Sequence, residues 1–187
     1  NKINEQVRNK MLKIAEDFME GLDISAKVED IRLTGSLANY NWSKYSDVDL
    51  HIVVDFSLLD DDLELVKAYF DEARMRWNDN HSIKIEGYDV EIYVEDKLEK
   101  HESSGIYSVL NNEWVVTPDP SSVSIDFDTA RKKSNSIATK INLVSHIVDN
   151  KSYDAALRAI DTIKKEIRRL RRAGLHSPAR EFSAENI

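Results

Sequence analysis

Two aspartates one residue apart, Asp47 and Asp49, lead into an apolar run that is typical of a buried strand. Because residues two apart on a strand point the same way, their carboxylates should lie on one side, about 6–7 Å apart along the backbone. Two like charges at that distance repel each other unless a cation lies between them. Mg²⁺ suits such a pair, because it prefers oxygen ligands and commonly binds one or two carboxylates together with substrate phosphates.

A third acid on a neighbouring strand would complete a site for two metal ions. Residues 82–94 have the pattern of a hairpin that turns near Gly87, and its second arm places Asp89 and Glu91 on one face. We predict Glu91 as the third ligand, because apolar residues flank it deep in the strand. Asp89, which is nearer to the turn, is the alternative ligand. A solvated strand face without a metal is the alternative for Glu91 itself.

The dipeptide Gly35-Ser36 precedes these acids, at the end of a short predicted strand. Glycine lets the backbone approach a phosphate closely, and exposed N–H groups and the serine hydroxyl can bind phosphate oxygens. A Gly-Ser pair or an Asp-x-Asp alone is frequent in turns and surface strands. Their combination with an apolar strand and a later acidic strand predicts one site that gathers phosphates and metal.

Hydrophobic periodicity indicates the elements that position this site. We predict helices at residues 3–22, 60–77, 128–148 and 153–173, the last one ending at Gly174, and strands at residues 28–33, 48–55 and in the hairpin. Residues 103–117 are ambiguous, and Trp114 begins either a short strand or an irregular packed segment. This order predicts an α+β fold with a mixed sheet and packed helices, followed by a C-terminal helical hairpin.

Composition excludes several classes of protein. The 187 residues fit one domain, or one domain with a helical appendage, and 41% hydrophobic residues suffice for a core. The absence of cysteine excludes disulfides, thiol chemistry and thiolate metal sites. No apolar run approaches the length of about 18 residues that a membrane span needs, and no signal peptide is visible. We therefore expect a cytoplasmic protein without a membrane partner.

The charge is unevenly distributed. The net charge of −8 argues against a general nucleic-acid coat. From Lys151 onward, however, nine Lys/Arg stand against five Asp/Glu, whereas the remainder has 17 against 29. We expect the basic end of the last helix to complement the helix dipole and to aid solubility, in preference to binding RNA or an acidic protein.

Three aromatic residues occupy the loop between Ser36 and Asp47, namely Tyr40, Trp42 and Tyr45. Aromatic rings in such a loop could stack on a base. We expect them instead to pack the loop onto the body of the protein.

The motifs together resemble the signature of a known superfamily, that of the DNA polymerase beta-like nucleotidyltransferases. The resemblance lies in residues 33–36, LTGS, and residues 46–50, SDVDL, at a spacing typical of its members. Residues 89–94, DVEIYV, are similar to a strand of the minimal, stand-alone nucleotidyltransferases of bacteria and phages. The resemblance covers residues 28–94, about a third of the chain.

The resemblance implies a role for each motif residue. The turn residues Gly35 and Ser36 would contact a nucleoside triphosphate (NTP). Three acids would bind two metal ions, namely Asp47, Asp49 and Glu91, with the last nearest to the acceptor. An aspartate is more frequent at this third position, so the choice between Glu91 and its neighbouring aspartate stays open.

A superfamily member also needs a cation for the β- and γ-phosphates. Lys133 and Lys140 lie seven residues apart on one edge of a predicted helix, and we predict that they bind the nucleotide. Ordinary solvated lysines are the alternative. The predicted fold is then a nucleotidyltransferase-type sheet, with residues 1–120 as the catalytic core and residues 121–187 as a helical region packed on it.

The implied reaction is the transfer of a nucleoside monophosphate, with AMP from ATP favoured, to an acceptor hydroxyl or phosphate with release of pyrophosphate. The implied cofactor is two Mg²⁺ ions, with Mn²⁺ as an alternative. The acceptor could be a small molecule, a protein hydroxyl, an RNA end or a second nucleotide. The competing hypothesis is a catalytically inactive module that binds a nucleotide or a partner protein through the same fold, against which the intact pair Asp47 and Asp49 counts.

Overall fold

The computed structural model of the chain describes residues 2–39, 41–100, 103–119 and 124–186. They form two compact units, which we call unit 1 (Asn1–Pro120) and unit 2 (Ser121–Ile187). Unit 1 contains the strands, and unit 2 contains two long helices. Within the described ranges, no helix has both the length and the apolar character that crossing a membrane requires.

Strands and helices are mixed along unit 1. In chain order they are α1 (Glu5–Glu20), β1 (Val28–Thr34), α2 (Gly35–Ala38), β2 (Val48–Val54), α3 (Leu63–Asn80), β3 (Lys84–Ile85), β4 (Tyr88–Asp96), β5 (Ile106–Ser108) and β6 (Glu113–Val116). The sheet order is β3-β4-β2-β1-β5-β6, in which β2 and β4 run parallel and the other neighbours run antiparallel. The predicted α+β fold with a mixed sheet is confirmed, and Trp114 lies in a strand.

The central strands have one apolar face and one polar face, because successive side chains of a strand alternate. Leu50, Ile52 and Ile92 are fully buried on the apolar face. Helices α1 and α3 pack residues into this core, with Met11, Ile14 and Phe18 from the first and Val66, Phe70 and Ala73 from the second. The candidate site residues lie on the opposite, polar face.

Side-chain caps set the start of both large helices of unit 1. The Asn4 carboxamide oxygen accepts the Gln6 N–H at 2.9 Å, and the Asp62 carboxylate accepts the Leu65 N–H at 3.1 Å. Helix α3 therefore begins at Leu63, three residues after the predicted start at residue 60, because Asp62, the last of the three aspartates there, serves as the cap. The predicted hairpin turn is confirmed, since Glu86 and Gly87 both have positive φ angles of 51° and 92°.

Unit 2 contains the predicted helical hairpin, formed by α4 (Phe127–Asp149) and α5 (Tyr153–Leu175). The prediction that Gly174 ends the second helix is wrong, because α5 continues through it to Leu175. Gly174 is buried, and a Cβ there would overlap the Ser183 hydroxyl. The glycine is therefore needed for close packing of the following segment against the last turn of the helix.

Candidate active site

Asp49 lies in a row of three residues that crosses the polar face of the sheet. It pairs with Thr34 of antiparallel β1 and with Glu91 of parallel β4. Residues that pair across neighbouring strands project from the same face, and the strands are about 4.8 Å apart. The sheet register therefore brings Asp49 and Glu91 side by side, although 41 residues separate them in the chain.

Asp47 lies immediately before β2. Asp47 and Asp49 are half-buried, whereas Val48 between them is only 2% exposed. This alternation indicates that the two aspartates share the polar side of the strand, as their spacing predicts.

Gly35 begins the short helix α2 and lies against the carboxylate of Asp49. Its φ angle is +70°, in the region that favours glycine. A Cβ at this position would overlap Asp49 Oδ2 and lie 2.7 Å from Asp49 Cγ. The glycine therefore leaves room for the aspartate, and it joins the Gly-Ser turn to the acidic pair. The adjacent Ser36 hydroxyl donates to Ser46 Oγ at 2.8 Å.

Glu91 is held by a neighbour on its own strand. The Tyr93 hydroxyl donates to Glu91 Oε2 at 2.6 Å. Burial raises the pKa of Tyr93 well above its usual range, and the hydrogen bond to Glu91 and the charge of that carboxylate raise it further. Tyr93 therefore remains a neutral donor in ordinary buffers. Its ring stacks on His51, with 4.9 Å between ring centres, and the Arg74 guanidinium lies 4.9 Å from its centre.

Asp89 has a different environment from Glu91. Its carboxylate lies 2.7 Å from Lys84 Nζ, and both side chains are more than half exposed. Asp89 pairs with β3 near the turn, whereas Glu91 pairs with Asp49 of β2. Of the two alternatives that the sequence leaves open, the register favours Glu91 as the partner of the aspartates.

A network of charged side chains lies on the same face of the sheet, further along β2 and β4 than Asp49 and Glu91. Glu95 Oε1 is 3.2 Å from Arg32 Nη1, and Glu95 Oε2 is 2.9 Å from His51 Nδ1. Arg32 Nε also lies 3.0 Å from Asp30 Oδ2, and the Ser108 hydroxyl donates to Asp30 Oδ1 at 2.7 Å. Glu95 and Asp30 are only 6% and 7% exposed. The network fixes His51, on which the ring of Tyr93 stacks.

Two residues that support the site have no motif in the sequence. Asn78 of α3 binds the backbone of β4 beside Glu91, donating to the Ile92 carbonyl and accepting the Ile92 N–H, both at 3.1 Å. Gly105 precedes β5, and a Cβ there would overlap the Ala38 carbonyl oxygen at the end of α2. Gly105 lies in residues 103–117, whose secondary structure the sequence leaves ambiguous. The glycine itself was the one signal in this segment of a close backbone approach.

The two lysines predicted to bind nucleotide both pair with acids of unit 2. Lys133 contacts the Glu185 carboxylate, and this hydrogen bond lowers the pKa of Glu185. Lys140 Nζ lies 2.5 and 2.6 Å from the two carboxylate oxygens of Glu166. Each lysine would have to exchange its acid for a phosphate in order to bind a nucleotide.

The carboxylates of Asp47, Asp49 and Glu91 fit a divalent cation by their chemistry. Among the described residues, no three His, Asp or Glu side chains are arranged closely enough to form a preformed metal centre. Asp49 and Glu91 nevertheless offer carboxylate oxygens from paired positions. Asp47, two residues before Asp49, adds a third carboxylate. Hard oxygen ligands from one or two carboxylates, completed by substrate phosphates, are what Mg²⁺ prefers.

Comparison with protein-family models matches residues 12–112 to the nucleotidyltransferase domain. The match spans more than half of the chain and contains the Gly-Ser turn and the three acids. Comparisons with curated proteins and with solved structures gave no match. The family match confirms the resemblance to a minimal polymerase beta-like nucleotidyltransferase. The chain therefore belongs to the nucleotidyltransferase domain family, and it is a transferase of nucleotidyl groups.

Proposed function

We propose that this protein transfers a nucleoside monophosphate, AMP from ATP, to an acceptor hydroxyl or phosphate and releases pyrophosphate, with Mg²⁺ as its cofactor. The observation that supports this best is the position of Asp49. Its carboxylate lies against Gly35 of the Gly-Ser turn and in register with Glu91. A triphosphate on that turn would place its phosphates beside the acids.

Each group of residues has one task in this proposal. Gly35 and Ser36 bind phosphate oxygens through backbone N–H groups and the serine hydroxyl. Asp47, Asp49 and Glu91 hold the cation. When bound, Mg²⁺ neutralises the charge of the triphosphate and lowers the pKa of an acceptor hydroxyl.

The reaction needs little covalent help from the protein. The acceptor oxygen forms a bond to the α-phosphorus while the bond from that phosphorus to the bridging oxygen breaks, so that pyrophosphate leaves with the electron pair. The chain contributes by orienting the reactants and by placing charge where it is needed. The proposal that Lys133 and Lys140 bind the β- and γ-phosphates is secondary, because both lysines already pair with acids.

Pyrophosphate release from each NTP in the presence of Mg²⁺ tests the proposal. We expect Asp49→Asn and Glu91→Gln to lower the rate by at least about 100-fold, because each removes a charge that holds the cation. The matched control is Asp89→Asn, which removes one negative charge two residues from Glu91 on the same strand and should change the rate less than about twofold.

A binding measurement tests the proposed metal site without requiring the correct acceptor. Mn²⁺ affinity in the presence of a non-hydrolysable NTP should fall in Asp49→Asn and Glu91→Gln but not in Asp89→Asn. Equal Mn²⁺ affinity in wild type and Asp49→Asn would contradict the metal site. NTP binding without pyrophosphate release, in every pool of acceptors supplied, would favour the competing hypothesis of an inactive binding module.

A further inference from the structure

Trp42 and Tyr45 lie on the loop between the Gly-Ser turn and Asp47, and both project into solvent. Their exposed fractions are 61% and 80%. The other described aromatic side chains of unit 1 are buried or half-buried. The prediction that these rings pack the loop down is therefore wrong for both, and Tyr40, the third aromatic residue of the loop, lies outside the described residues.

Hydrogen bonds join this loop to the predicted triphosphate site. Ser46 Oγ, which accepts the Ser36 hydroxyl, also accepts the Ser43 N–H at 2.9 Å. The Ser46 N–H donates to the Ser43 carbonyl at 3.1 Å, and the Ser43 hydroxyl oxygen accepts the Tyr45 N–H at 3.1 Å. Tyr45 therefore stands on a closed turn, residues 43–46, and Trp42 directly precedes it. This turn is bonded to the Gly-Ser turn through Ser46.

The loop also has the charge that a nucleotide requires. Lys44 stands between the two aromatic residues, and its Nζ lies 4.8 Å from the centre of the Tyr45 ring. Aromatic rings with an adjacent cation bind nucleobases and their phosphates in proteins that hold single-stranded nucleic acid. Exposed Trp and Tyr are also typical of protein interfaces. A nucleobase is favoured here because every substrate NTP brings one to this part of the molecule.

We propose that Trp42 and Tyr45 form a stacking site for a substrate nucleobase. This inference rests on the proposed function, since it assigns a ligand to the loop beside the same active site. The base belongs either to the NTP or to a nucleotide-bearing acceptor. Both sources present the same flat aromatic surface, and stacking on a side chain removes it from water in the same way.

Binding measurements without turnover test the site. The probes are the non-hydrolysable ATP analogue with a methylene group between its α- and β-phosphates, single-stranded hexaadenylate, and inorganic tripolyphosphate as the probe without a base. We expect Trp42→Ala and Tyr45→Ala each to weaken binding of a base-bearing probe by about 5-fold to 100-fold. Tripolyphosphate should bind equally to wild type and both variants.

The two sources of the base give different results. Weaker binding of the ATP analogue assigns the stacked base to the NTP, and weaker binding of hexaadenylate alone assigns it to the acceptor. Trp42→Phe retains a ring and should retain affinity, whereas the quenching of tryptophan fluorescence by the probe should decrease. Tyr153→Ala is the matched control, because Tyr153 is 61% exposed and belongs to unit 2.

Three outcomes would overturn the stacking site: unchanged affinity of both base-bearing probes in Trp42→Ala and Tyr45→Ala, an equal loss for tripolyphosphate, or no binding of either base-bearing probe to wild type. None of these measurements depends on turnover. Failure of the proposed function would appear separately, as absence of pyrophosphate release by the wild-type protein.

Discussion

Unit 1 and unit 2 contain equal numbers of cationic residues but differ in how they hold their charges. Each has 13 Lys/Arg, whereas unit 1 has 26 Asp/Glu and unit 2 has 8, so that their net charges are −13 and +5. In unit 1, acids with buried side chains have partners at fixed distances, as Glu95 does with Arg32 and His51. In unit 2, Lys133 and Lys140 also pair with acids, but the side chains of Arg169 and Arg171 are exposed and make no hydrogen bond or ion pair with another described residue.

The comparison distinguishes buried charges that stabilise the structure through ion pairs from charges that are exposed to water. A buried ion pair has lost its hydration, so removing one partner leaves the other uncompensated. An exposed arginine keeps its hydration, and its removal costs little. The excess of acid in unit 1 is what we expect of the proposed cation-binding unit, and the excess of base in unit 2 is what we expect of a solvated helix end.

Gly35→Ala should have the largest effect on activity of the changes compared here. A Cβ at this position would displace the Asp49 carboxylate, and alanine would be strained at a φ of +70°. We expect pyrophosphate release to fall by at least about 100-fold, since small displacements of catalytic groups have effects of that size. Steady-state kinetics of the purified variant measure it.

Gly87→Ala is the matched control for backbone strain. Gly87 also has a positive φ of 92°, but a Cβ there would meet no atom within 4 Å. It should lower the stability without a specific loss of activity. If both variants lose activity equally, strain rather than the displacement of Asp49 explains the result.

Glu95→Gln tests the comparison between the two units through stability. The substitution leaves Arg32 with one acidic partner, in a network whose acids are nearly inaccessible to water. We expect the free energy of unfolding to fall by about 2 kcal/mol, measured by urea denaturation. Arg171→Gln also removes one charge, and should change stability by less than about 0.5 kcal/mol. Equal effects of the two substitutions would mean that the two units do not differ in how they hold charge.

The sequence predicts best the parts of the molecule that local pattern determines. Alternation in the second arm of the hairpin, β4, predicts which of its side chains face the core, and the positions of Gly35 and Asp49 follow from short motifs. These features depend on neighbours within a few residues. They are therefore visible before the fold is known.

The parts that the sequence does not predict depend on contacts between distant residues. Asn78 lies 14 positions from Ile92, and only the packing of α3 beside β4 brings its carboxamide to that backbone. The exposure of Trp42 is likewise a property of the folded loop, since an aromatic residue in a loop can pack inward or face solvent. The sequence already favours Glu91 over Asp89 by its position deep in the strand, but the pairing of Glu91 with Asp49 required the register of β4 against β2, which no periodicity contains.

Of the substitutions Gly35→Ala, Glu95→Gln and Tyr93→Phe, the last should have the smallest effect. It changes the support of the proposed metal ligand, Glu91, and leaves that residue itself. The substitution removes the hydroxyl that donates to Glu91 Oε2 while keeping the ring that stacks on His51. Removing such a supporting hydrogen bond lowers metal affinity by about tenfold in known metal sites. Mn²⁺ titration in the presence of a non-hydrolysable NTP measures this, and the urea midpoint of the variant should stay close to that of wild type.

Tyr88→Phe on the same strand is the matched control, because the Tyr88 ring is also half-buried and its hydroxyl has no hydrogen-bond partner among the described residues. Its Mn²⁺ affinity should equal that of wild type. A purely structural role of Tyr93 would lower stability without changing metal affinity, so unchanged Mn²⁺ binding in Tyr93→Phe would show that Glu91 does not need this hydrogen bond. In that case the fixed contacts of unit 1 would serve its stability, and the position of the third acid would be set by the strand register alone.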